Sequence, residues 1–157
     1  MRSLYTLSLP FIVFTLVACV GCGEKGLDVH VVEGVVTLDG APYAGVTVFL
    51  YPTEPSGNMG FANTDEQGRY RISAIGGAVD KGTTLGTYQV AFSQLVPDGR
   101  VPTPEEEADP NFNPARFPGL EKTKDIAPKK YQLPNTSGFE ITVEKGTNVH
   151  NFELLSK

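Results

Sequence analysis

The feature that most restricts the fold is the spacing of the apolar residues. From Val29 to Leu154 they recur at every second position in short runs, and no run holds a helical period long enough to pack a helix. Alternate side chains of a strand point to opposite faces, so this period describes strands with one buried face each. Seven such runs are legible: Val29–Leu38, Gly45–Tyr51, Phe61–Thr64, Arg69–Ile75, Gly86–Phe92, Gly138–Val143 and Val149–Leu154. Between them lie the turn signals Asp39-Gly40, Asp65 to Gly68, Gly76-Gly77 with Lys81-Gly82, and Glu144 to Asn148. The inward sets read as Val32, Gly34, Val36 and Leu38; Val46, Val48 and Leu50; Tyr70 and Ile72; Tyr88, Val90 and Phe92; and Phe139, Ile141 and Val143. With no helix of crossover length, the pattern predicts an all-β fold, a seven-stranded antiparallel β-sandwich of Greek-key type. Gly34 falls between Val32 and Val36, where a leucine would overpack the core at a cost of about 1 to 3 kcal/mol.

The alternation stops at Gln94 and does not resume until Gly138. This stretch, lying before the last two strands, holds eight of the 12 prolines and the acids Glu105, Glu106, Glu107 and Asp109. A connection of this length in a compact domain is either functional or disordered. The residues predict a mostly extended loop, packed on the sandwich through Phe112, Phe117 and Tyr131, with one helical turn where Pro104 precedes three acids.

Residues 1–18 differ from everything after them. Arg2 supplies a positive charge, and Leu4 to Ala18 is mainly apolar, the shape of a signal peptide. The run contains Pro10 and falls short of the roughly 20 apolar residues that span a bilayer, so a retained transmembrane helix is the weaker alternative. Leu16-Val17-Ala18-Cys19 resembles the bacterial lipobox, in which the cysteine thiol takes a diacylglyceryl group and becomes the first residue of the mature chain. Cys22, after Val20-Gly21, is the second candidate. A Cys19–Cys22 disulfide is the competing use of two thiols in an exported protein, but it would close a tiny loop with no fold to protect. The expected organisation is a signal at 1–18, a tether at 19–28 and one sandwich domain at 29–157 in the cell envelope, lipid-anchored and facing the periplasm or the exterior. Loss of residues 1–18 removes one of the 13 cations and none of the 18 acids, leaving a formal charge of −6. That surplus and the lack of a basic stripe argue against a nucleic-acid partner.

Val32-x-Gly34-x-Val36-Thr37-Leu38-Asp39-Gly40-x-Pro42-x-x-Gly45-Val46-x-Val48 resembles the opening of the carboxypeptidase regulatory-like domains, which share the prealbumin (transthyretin-like) sandwich. Thr64-Asp65-x-x-Gly68-x-Tyr70 and Gly86-x-Tyr88-x-Val90 are similar to their central turn and later strand. Ile126-x-Pro128-x-Lys130-Tyr131 with Thr136-Ser137-Gly138 resembles the form found in short planctomycete lipoproteins. The resemblance implies a scaffold and leaves the activity open.

Catalytic constellations are not legible. The tyrosine-rich terminal signature of the transthyretin-like hydroxyisourate hydrolases is missing, and the two histidines, His30 and His150, sit at strand ends where exposure is the plain expectation. They form no cluster with tyrosines of the kind that holds iron in the related dioxygenases, so neither a metal nor a cofactor is expected. No serine stands in a nucleophile elbow. The residues therefore predict a non-catalytic envelope module for protein interaction or surface architecture. The alternative is a binder of carbohydrate or another small ligand, with Phe49, Tyr51, Phe112 and Phe117 as stacking platforms. Phe49 and Tyr51 share the outward face of their strand, to be covered by a loop or left as a contact surface.

Overall fold

The computed structural model describes residues 26–117 and 122–157, so Cys19, Cys22 and the 1–18 segment lie outside the described residues. The chain forms β1 (Val31–Leu38), β2 (Ala41–Pro42), β3 (Thr47–Pro52), β4 (Gly60–Asn63), β5 (Arg69–Arg71), β6 (Ser73–Ala74), β7 (Gly86–Ser93) and β8 (Leu95–Pro97). A helical turn α1 (Pro104–Glu107), β9 (Thr123–Asp125) and a second turn α2 (Pro134–Ser137) follow, and then β10 (Glu140–Val143), β11 (Thr147–Val149) and β12 (Phe152–Leu154). The described residues are thus all-β with little helix. Two sheets share one core, to which Val32, Val36, Tyr70, Phe152 and Leu154 contribute from the first and Val48, Leu50, Tyr88, Val90, Phe92, Ile141 and Val143 from the second. The predicted inward sets occupy these positions because each run keeps its two-residue period without a slip.

The second sheet runs β10-β7-β3-β4-β6, antiparallel throughout. The first is built on β1, which pairs antiparallel with β2 and β5 on one side and parallel with β11 and β12 on the other. That parallel edge departs from a purely antiparallel sandwich. A parallel pair needs a long crossover, but the crossover need not be a helix. Here the whole second sheet makes the return from β1 to β11. The run Arg69–Ile75 also divides, because β5 joins β1 while β6 joins β4. Ile72 sits fully buried at the change of sheet, its N–H donating to the Val32 carbonyl at 2.9 Å.

β11 and β12 keep one register against β1, with Val31 opposite Thr147 and Val36 opposite Phe152, yet the ladder is interrupted between them. At the interruption the His150 carbonyl turns over Gly34 and accepts a 2.7 Å hydrogen bond from the Tyr70 hydroxyl. The Val35 N–H, without a main-chain partner there, donates to Asn151 Oδ1 at 3.0 Å. A β-carbon on Gly34 would stand 1.8 Å from the His150 oxygen, so backbone, rather than a packed side chain, is what demands glycine. Burial raises the pKa of the Tyr70 hydroxyl, which keeps it protonated and donating.

Gly34→Ala should therefore destabilise the domain by at least about 3 kcal/mol, more than the overpacking expected from sequence. Tyr70→Phe should cost about 1 to 3 kcal/mol by leaving a carbonyl unpaired. Urea denaturation of both variants checks the order, and an alanine tolerated at position 34 would show that the His150 peptide can swing aside.

Candidate functional site

The sandwich has two ends with different equipment. At one end lie the start of β1, the loop between β6 and β7, and the β10–β11 turn: His30 bridges Thr83, and the Gly146 N–H lies 3.3 Å from His30 Nδ1. At the other end the Asp39-Gly40 turn meets the chain terminus, the Ser156 N–H donating to Asp39 Oδ1 at 3.0 Å. The proline-rich segment leaves β7 at this second end.

The described residues of that segment hold more regular structure than its composition predicts. β8 and β9 close it as a hairpin, with Leu95 opposite Asp125 and Pro97 opposite Thr123. Asp125 Oδ1 holds the base, accepting from the Gln94 and Ala127 N–H groups at 2.9 Å each. Burial opposes the Asp125 charge, but hydrogen bonds from Ser93, Gln94 and Ala127 outweigh it and hold the carboxyl below its ordinary range. Gln94 Nε2 also reaches the Ala44 carbonyl at 2.9 Å. Tyr131 carries the return path into the core, edge-on to Phe92 at 6.3 Å and against Phe139 at 5.6 Å.

Beyond the hairpin, Thr103 and Glu106 form a capping box on α1, the helical turn predicted at Pro104–Glu107. Glu106 also pairs with Arg100, whose guanidinium lies 4.8 Å from the centre of the Phe117 ring. Phe112 stacks on Phe117 with centroids 5.6 Å apart. The structure thus brings Phe112 and Phe117 together, but they form a small cluster within the segment and lie outside the main core cluster that Tyr131 joins. A shallow cleft of about 160 Å³ opens beside them, lined also by Asp109, Asn111, Asn113 and Arg116. Phe117 is buried, with Arg100 and Phe112 against it, which leaves little of the ring for a ligand to stack on.

Phe49 and Tyr51 sit on the outer face of β3, their rings 6.2 Å apart and half-buried. The register extends this patch where sequence did not. Phe61 of β4 lies directly opposite Phe49, and the Ile75 N–H donates to the Met59 carbonyl, so Phe61 and Ile75 join the same outer face at 42% and 53% exposure. A wider depression of about 300 Å³ lies at the interruption between β11 and β12, lined by Glu33, Val35, Arg69, Val149 and Asn151. Its only sequence signal is a run of alternation that reads as one continuous strand.

The histidines differ from their expected exposure. Both are half-buried, and the Nε2 atoms of His30 and His150 are buried without a hydrogen-bond partner among the described residues. Burial opposes a charged His150 ring, partly offset by a hydrogen bond to the Thr142 backbone, so its pKa is lowered. Among the described residues no three His, Cys, Asp or Glu side chains converge to hold a metal ion. No family model, curated protein or solved structure matches this chain.

Two outcomes follow from this geometry. Asp125→Ala should cost about 1 to 3 kcal/mol by stripping two N–H groups of their acceptor, and limited proteolysis should then cut within residues 95–125 before the sandwich. Asp125→Asn, which keeps an acceptor oxygen, should lose less. Because the folded chain favours neutral His150, the stabilisation from this ring is present above pH 6.5, its ordinary value, and is lost as the pH falls below it. His150→Gln should flatten the decline in urea midpoint between about pH 7 and pH 5. An unchanged slope would assign that decline to other groups.

Proposed function

We propose that this chain is a non-catalytic, lipid-anchored module of the bacterial cell envelope that presents its proline-rich end to a protein partner. The observation that carries this reading is the placement of the two ends. The described chain starts at Gly26 and Leu27 beside the β6–β7 loop, at the end opposite the proline-rich segment, so a lipid at Cys19 directs that segment away from the bilayer. No helix among the described residues is long and apolar enough to cross a membrane.

We assign the scaffold to the prealbumin-like, carboxypeptidase regulatory-like sandwich on the motifs quoted above. This reading is supported by the backbone at the quoted turns, where Asp39 and Gly40 have φ 50° and 81° and Gly68 has φ 73°. A glycan-binding role draws less support, because Phe117 is already covered by the segment's own side chains. The Phe49, Tyr51 and Phe61 face is the surface on which a sugar would be sought.

A diacylglyceryl group with an amide-linked chain buries several tens of methylenes at about 0.8 kcal/mol each, so attachment is effectively permanent. Intact-mass measurement of membrane-extracted protein should show loss of residues 1–18 and a lipid adduct on Cys19. Cys19→Ser should block processing. Processing lost only in Cys22→Ser would move the anchor three residues on, and processing that survives both substitutions would overturn the lipid-anchored reading.

A further inference from the structure

We infer that the end of the sandwich formed by Leu27 and the β6–β7 loop is seated on the lipid surface, with Val79 as its deepest residue. The inference rests on the lipid anchor proposed above and adds the orientation of the domain on the membrane.

Exposed apolar side chains occur at both ends, Leu95, Ile126, Leu133 and Leu155 among those at the other, and the most exposed of them is at this one. Val79 is 76% exposed, the largest value among the exposed large hydrophobic residues, and Ile75, Leu27 and Leu85 are exposed with it. Leu27 and the loop are adjacent: a β-carbon on Gly77 would touch Leu27 Cδ1 at 3.7 Å. The loop is held in place rather than left free. The Ala74 N–H donates to the Gly82 carbonyl and the Gly82 N–H to that of Ile72, at 2.9 and 2.8 Å. Asp80, at a φ of 57° that few non-glycine residues adopt, is pinned by its N–H to Ser73 Oγ at 2.8 Å. A loop fixed at both feet with valine at its tip offers an apolar contact without first having to be ordered.

The length of the tether selects the occupant. Cys19 to Lys25 is seven residues, and a chain of that length reaches at most about 25 Å when fully extended. The first described residues stand on this same apolar end, so the anchor keeps it within that distance of the bilayer at all times. No partner protein has to be brought there, and Ile75, Val79, Leu27 and Leu85 are the aliphatic types that enter an interface.

The chain contains no tryptophan, so a single introduced one reports its own surroundings. Val79→Trp lies at the exposed tip, where folding is not at stake. Leu155→Trp lies near the Asp39 turn, at the opposite end. Full-length protein carrying either substitution is extracted from membranes and reconstituted in vesicles of phosphatidylcholine and phosphatidylglycerol, with and without brominated acyl chains. Val79→Trp should lose emission by on the order of twofold with brominated lipid, while Leu155→Trp keeps its emission. Protein that carries the lipid adduct yet shows no quenching at Val79→Trp overturns the seating and leaves the anchor standing. Protein without the adduct overturns the anchor and the seating together. Emission that follows protein density rather than brominated lipid would put a second copy on this end and also overturn the proposal.

Discussion

The contact between Gly34, Tyr70 and the His150 carbonyl joins parts of the chain more than a hundred residues apart, and the topology depends on it. Without a side chain at position 34 the link between β11 and β12 can lay the His150 carbonyl over β1, where it finds a donor in the Tyr70 hydroxyl at 2.7 Å. The first sheet is then closed by four separate stretches, β2, β5, β11 and β12, on one central strand. Such long-range pairing requires the second sheet to be laid down between its partners, so folding of the first sheet is tied to completion of the other. The exposed outer surfaces carry none of this constraint, and that is where the aromatic row on β3 and β4 can exist without cost to the core.

The same arrangement explains how a proline-rich segment can be long and still be held. Its base is closed by Asp125 and Gln94, and its return path by Tyr131, which enters the aromatic cluster around Phe92. Phe92 stands edge-on to Phe139 and Phe152 at 5.8 and 5.3 Å, the geometry that sets the positive edge of one ring against the negative face of another. Between these fixed points the Arg100, Glu106, Phe112 and Phe117 group gives the segment its own small centre. Local order on a closed base differs from disorder, and it would lower the entropy lost in binding the partner proposed for this segment.

Most of the fold was legible in the sequence because a two-residue period is local information. Val32, Val36, Val48, Leu50, Tyr88, Val90, Phe92, Ile141 and Val143 are all buried as the alternation requires. Three things were not local. The parallel edge of β1 depends on which strands meet, and alternation is the same in parallel and antiparallel pairs. The division of Arg69–Ile75 between two sheets happens at Ile72, a residue that looks like any other inward position. The hairpin β8–β9 pairs residues about thirty positions apart across a proline-rich stretch, with no alternation to announce it. For the candidate surfaces, the pairing of Phe112 with Phe117 and the breadth of the Phe49 patch both needed tertiary register. The burial of the histidine rings followed from neighbours in other elements, where strand-end position alone had suggested water.

The motifs on which the scaffold assignment is proposed occupy inner faces and turns, and their residues are spent on packing and on backbone geometry. Gly34 is committed to the His150 carbonyl, Thr64 donates to the Tyr43 carbonyl while accepting from the Val46 N–H, and Asp65 caps its own turn through Gln67 and Arg69. A side chain whose polar atoms are consumed in this way has little left with which to recognise a ligand. What distinguishes this chain from any other sandwich must then lie in the stretches those motifs leave alone, namely the segment between β7 and α2 and the loop between β6 and β7. One is polar, proline-rich and closed at its base, and the other is short, pinned and tipped with valine. Because they stand at opposite ends of a rigid core, each can meet a different environment at the same time without competing for the same surface.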